Sequence, residues 1–234
     1  MPADQPPEVD LYCERITANL FDEPLGLSTN LAFLVAAWAL ARDRGANHAP
    51  QWMLITWLTL IGLGSGAFHA YATKMTLLLD VIPIQGFILT TIWILYRTHL
   101  GLSRLMTLTL LSVFVVVSAL IPTHILWGSV GYIPAWGLLI LAALLHAPGP
   151  VQRDLGAAAA LFGISLIFRS IDGPLCSQWE SGTHFLWHLC NALVLYWIVR
   201  ATQRHRRAER LPVGDAFSDG YTSAQQRITD DETR

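Results

Sequence analysis

Charge is scarce in this sequence, and one long stretch has none at all. Asp, Glu, Lys and Arg make up 14% of the 234 residues, and none occurs between Arg104 and Arg153. A soluble fold of that extent needs charged residues on its wet face, so the scarcity excludes an ordinary soluble domain. Strong charge of either sign is also missing: the net charge is −2, which gives no footing for a nucleic-acid partner. The first 24 residues lack the basic and apolar regions of a cleavable signal peptide. They are polar and acidic instead, with Asp4, Glu8, Asp10, Glu14, Asp22 and Glu23. Cysteine is rare, at three residues, and there is no internal repeat.

Apolar residues dominate what is there, at 53%. A membrane-spanning helix needs about 20 mainly apolar residues. Seven stretches meet that need, at about 25–41, 52–71, 77–96, 105–122, 130–146, 155–171 and 183–200. The expected fold is therefore all-α, a polytopic membrane protein of seven transmembrane helices. Residues 1–24 form an N-terminal segment and residues 201–234 a basic, then polar and disordered tail. Orientation follows the arginines of the short loops. One side collects ten, Arg42, Arg44, Arg97, Arg104, Arg153, Arg200 and four in the tail; the other holds Arg15 and Lys74, with Arg169 at a helix end. The N-terminus is expected outside and the C-terminus in the cytoplasm.

Ionisable groups inside spans are costly and usually functional. The topology puts Ser65 and His69, Asp80, and His184 and His188 at one level near the non-cytoplasmic face. His184 and His188 are four apart, so they share a helix face about 6 Å apart along the axis. Ser65 and His69 share a face in the same way. Three histidines with a further coordination position form the donor pattern of a catalytic zinc site. Each element has a plainer reading: HxxxH arises by chance, a membrane histidine can pack helices, and Asp80 can pair with Lys74 or Arg169. Haem is disfavoured, because its axial ligands come from opposite sides. His48, His99, His124, His146 and His205 read as solvated or interfacial. Cys13 and Cys176 both lie outside, where a disulfide can form, although sequence does not fix the geometry. Cys190 reads as a small buried apolar residue, Trp52, Trp127 and Trp179 as interfacial, and Trp187 as packing.

At these residues the chain resembles the alkaline ceramidases, part of a wider group of seven-helix membrane hydrolases that includes the progestin and adiponectin receptors. The segments are Cys13-Glu14, Ser28-Thr29-Asn30, Gly64 to His69, Asp80, Arg169 to Asp172, Cys176, and Gly182 to His188. The resemblance runs from about residue 10 to residue 200. It implies a zinc ion held by His69, His184 and His188, with Ser65 and Asp80 completing the catalytic set. It implies a Cys13–Cys176 disulfide and cleavage of ceramide-type membrane lipids to a sphingoid base and a fatty acid. Eukaryotic members also carry a calcium site, of which Glu14 and Glu23 match two positions, while Leu11 and Ile16 stand where Asp and Asn are expected. The alternatives are a zinc-containing lipid receptor or sensor with little hydrolysis, and a transporter. A transporter site would lie nearer the midplane. Oligomeric state is not indicated.

Overall fold

The computed structural model describes residues 8–17, 19–43, 47–122 and 125–210. Arg44, His124 and the tail beyond Arg210, all assigned from the sequence, lie outside the described residues, as does the side chain of Trp127. Every regular element among the described residues is helical, with no strand. The helices are α1 (Pro24–Thr29), α2 (Leu31–Ala41), α3 (Ala49–Tyr71), α4 (Lys74–Ile92), α5 (Arg104–Leu120), α6 (Ile133–Leu145), α7 (Pro150–Leu175) and α8 (His184–Arg210). A π-helical stretch, Trp93–His99, continues α4, and a 3₁₀ stretch, Ile125–Tyr132, leads into α6.

By length and composition, six of the helical units can cross a membrane: Pro24–Ala41, Ala49–Tyr71, Lys74–His99, Gly128–Leu145, Pro150–Leu175 and His184–Arg210. The other apolar helix, α5, has 17 residues. Its expected end at residue 122 moves back to Leu120 because Ile121 precedes Pro122 and is extended, with ψ of 128°. The exterior is apolar: Leu105 is 75% exposed, Leu120 77% and Leu144 72%. Buried positions, by contrast, include Ser65, His69, Asp80, Asp154, Asp172, His184 and His188. An apolar outside around a partly polar inside is stable only with hydrocarbon as its surroundings. The chain is built as an integral membrane protein.

Local chemistry sets the helix starts. Pro24, Pro50 and Pro150 stand in first turns, where a missing N–H costs nothing. Thr73 caps α4 by accepting from the Thr76 amide at 3.2 Å, and Ser103 caps α5 through Met106 at 3.2 Å. Between α3 and α4 the chain turns through Ala72, at φ of 45°. The two helices then run back to back so closely that a Cβ at Gly64 would lie 2.0 Å from the Leu79 carbonyl oxygen. The most extensive packing is α3 with α4 and α7 with α8, whereas α5 touches only the π-helical stretch and α6 to any extent.

Helix α8 continues ten residues past the expected end of its span, to Arg210. Partners at that end hold it there. Asp154 of α7 receives Arg200 at 2.7 Å and Arg204 at 2.8 Å, and Gln203 donates to Asn47 at 2.7 Å. Three of the histidines read as solvated also meet there. His146 is buried, its Nε2 lies 3.4 Å from Nδ1 of His99, and the His99 and His205 rings stack at 3.7 Å. Sequence spacing held no signal for this, because the three come from three separate elements.

Candidate metal centre

The opposite end of the bundle holds the chemistry. There α3 and α7 finish while α4 and α8 begin. Helix α8 starts at His184 because Asp172 caps it from α7: its Oδ1 accepts the amides of Thr183 at 2.6 Å and His184 at 2.9 Å. The preceding Gly182 has φ of 58°, and a Cβ there would sit 2.2 Å from Asp172 Oδ1. This cap starts α8 so that His184 and His188 turn inward together, with ring centroids 4.6 Å apart. His69, in the last turn of α3, meets them from the other side. All three are buried, and one nitrogen from each lies within 4.8 Å of the others.

Hydrogen bonds fix which nitrogens are free. Nδ1 of His69 is held by the Glu23 carboxylate. Nδ1 of His188 lies 2.9 Å from Thr29 Oγ1, whose own proton goes to the Leu25 carbonyl at 2.7 Å. Glu23 and Thr29 each set an acceptor beside an Nδ1, and with the proton held there both Nε2 atoms present lone pairs. Those two Nε2 atoms lie 3.2 Å apart. Two lone pairs facing each other in a buried site repel unless a cation lies between them. Ligands at about 2.0–2.1 Å from a tetrahedral metal ion are separated by about 3.3 Å, the spacing seen here. The buried Nδ1 of His184 has no hydrogen-bond partner at all. A carboxylate and a hydroxyl behind two of the imidazoles are the usual outer support of metal-bound histidine. The donor set fits a zinc-class ion, and among the described residues it is the one such group of three.

Around the trio lie side chains that sequence reasoning missed. Tyr12 stacks on His184 at 3.5 Å between centroids, and its hydroxyl accepts from Arg169 at 3.2 Å. Burial pushes the Tyr12 phenol up to about 12, so it stays neutral. Trp187, read as packing, stacks on His184 at 5.1 Å from the other direction. The N-terminal segment is pinned over this end by the Cys13–Cys176 disulfide, with a Cα–Cα distance of 5.2 Å. No local pattern announces Tyr12 or Thr29 in these roles; Thr29 lies 159 residues from His188. Cys190, expected to be buried, is a half-buried free thiol.

Ser65 and Asp80 stand beside each other across the close α3–α4 crossing. Both are buried, and Ser65 Oγ and Asp80 Oδ1 have no hydrogen-bond partner. Arg169 lies close enough to Asp80 to attract it electrostatically, whereas Lys74 bonds Glu8 at 3.4 Å. A cavity of about 790 Å³ reaches this end, lined by Leu11, Tyr12, Val81, Gln85, Tyr132 and Arg169. A narrow apolar cavity of about 80 Å³ shares Tyr132 and runs down α8 from Trp187 to Ile198.

Glu14 and Glu23, the two candidate calcium ligands, are both engaged within the chain. Glu14 caps α1, accepting from Leu25 at 2.6 Å and Gly26 at 2.7 Å. Glu23 is shared between Arg15 and His69. Burial pushes the Glu23 carboxyl up to about 7, with Arg15 pulling it back. Leu11 and Ile16 offer no oxygen side chain, and Ile16 is 77% exposed. No protein-family model and no curated protein matches the chain. The molecule is thus characterised by its own geometry, a membrane-embedded helical bundle with a buried three-histidine group able to hold a metal ion.

Proposed function

We propose that this protein is a zinc-dependent membrane amidase that hydrolyses ceramide-type lipids to a sphingoid base and a fatty acid. The carrying observation is the pair of facing Nε2 atoms of His69 and His188, joined by the buried His184. The choice of substrate rests on the resemblance of these segments to alkaline ceramidases. Seven crossings with the N-terminus outside would put the histidines near the non-cytoplasmic face, in accord with the arginines gathered at the other end. An amide at the headgroup boundary then reaches the histidines while its chains stay in hydrocarbon.

A zinc ion held by His69, His184 and His188 would supply charge that polarises a carbonyl and brings the pKa of water down toward neutrality. The chain's own residues do the rest. Asp80 accepts the proton released as water adds to the amide carbon. It returns that proton to the nitrogen as the C–N bond breaks, giving amine and carboxylic acid. The Ser65 hydroxyl donates to the oxygen that gains charge. Tyr12 and Trp187 wall the site against bulk water, and the cavity of about 790 Å³ beside Tyr12 and Val81 offers room for a hydrocarbon chain.

The test is turnover of purified protein on a panel of N-acyl sphingoid and N-acyl amino lipids. Zinc-dependent release of fatty acid, lost in Asp80→Asn, supports the reading. Saturable lipid binding with no product supports the receptor reading instead.

A further inference from the structure

The N-terminal segment contains a cation of its own. Arg15 has a fully buried side chain. Its Nε donates to the Glu23 carboxylate. One terminal nitrogen donates to the carbonyls of Thr17 at 3.1 Å and Asn19 at 3.3 Å. The other donates to the carbonyl of His69 at 2.6 Å. The surroundings are all oxygen, one carboxylate and three carbonyls, the donor set that calcium selects. A planar fork with five N–H groups satisfies such a set in fixed directions, which a spherical ion does not.

These contacts converge on one metal-site residue. Arg15 grips the main chain of His69 directly and its ring through Glu23. Glu23 in turn is what keeps the proton of His69 on Nδ1 and the lone pair on Nε2. We propose that Arg15 is the resident cation of the N-terminal segment, replacing a divalent ion there and positioning His69 through Glu23 for metal binding. The inference rests on the metal-binding reading of the three histidines, not on the identity of the substrate. It makes the histidine site independent of calcium. It also assigns the N-terminal segment a part in the metal site beyond covering it: the segment brings the base that orients a ligand. Removal of an orienting partner of a metal-bound histidine typically weakens the metal about 10–100-fold.

Two measurements on the full-length protein in detergent test this, neither using catalysis. In the first, wild-type protein is titrated with calcium-45 and melted with and without millimolar calcium chloride. No saturable binding and no change in melting temperature are expected. Saturable calcium binding, or a calcium-dependent rise in melting temperature, overturns the proposal. In the second, cobalt(II) affinity is read from its visible absorption in wild type, Arg15→Gln and Lys74→Gln, the last removing an exposed ion pair of the same segment. Arg15→Gln should weaken cobalt about 10–100-fold while Lys74→Gln stays at wild-type affinity. Equal affinity in folded Arg15→Gln overturns the positioning role. Should that variant not fold, Glu23→Gln, which keeps the shape and removes the charge, is read the same way. An inactive protein that still binds cobalt in this pattern leaves the proposal standing and sinks only the amidase reading.

Discussion

Nδ1 of His188 meets the Thr29 hydroxyl, and the Gly26 backbone also bonds its ring. Thr29 gives its own proton to Leu25 and so receives the one on Nδ1 of His188. Thr29→Val keeps the volume and removes that acceptor. It should weaken metal binding about tenfold while leaving the fold intact, read by cobalt titration beside circular dichroism. Gly26 is the companion case, because a Cβ there would come 2.6 Å from Nδ1 of His69. Asp22 provides a pH signature away from the metal. Burial raises its carboxyl, but the amides of Thr17 and Ile16 outweigh this and hold it below its ordinary value. A carboxyl with a lowered folded-state pKa stabilises above its unfolded value of about 3.9, and loses that as pH falls through the folded one. The melting difference between wild type and Asp22→Asn should therefore be present at pH 6 and shrink below about 4. A difference constant across that range would contradict the assignment. Of these residues, only the three histidines, Ser65 and Asp80 were legible in the sequence as a site. Four-residue spacing and shared depth mark them. Tyr12, Arg15 and Thr29 act through contacts that close only when distant segments meet, which no local pattern encodes.

Helix pairs set the alignment of the polar groups. The α3–α4 hairpin brings Ser65 to Asp80 because Gly64 lets the backbones touch. Gly64→Ala would drive its Cβ into the Leu79 carbonyl, a contact that only backbone separation relieves. A loss of about 1–3 kcal/mol is expected from overpacking of this kind, with hydrolysis falling more than metal content. Denaturation and metal analysis of one preparation check both. The disulfide belongs to this scale too, tying the N-terminal segment to the loop between α7 and α8. Cys13→Ser with Cys176→Ser should cost about 2–5 kcal/mol, and an unchanged melting temperature would contradict it. Element existence was readable from apolar runs, and every expected span overlaps a helix. Boundaries were less so. The arginines after Arg200 look like a tail until Arg204 is seen to pair with Asp154 beside Arg200. Likewise His99, His146 and His205 look solvated until three elements bring them together.

The whole molecule is polar at its two ends in different ways. One end gathers the three grouped histidines and the disulfide; the other gathers arginines paired with Asp154 and Asp43. That asymmetry underlies the proposed orientation, and a C-terminal fluorescent fusion that requires the cytoplasm to mature should be bright. The central claim is that three imidazoles hold one metal ion. Metal analysis of purified wild type and of His188→Ala tests it most directly. The account predicts close to one zinc per wild-type chain and a loss of zinc in the variant, whose fold is confirmed by circular dichroism. Unchanged zinc content in folded His188→Ala would contradict it.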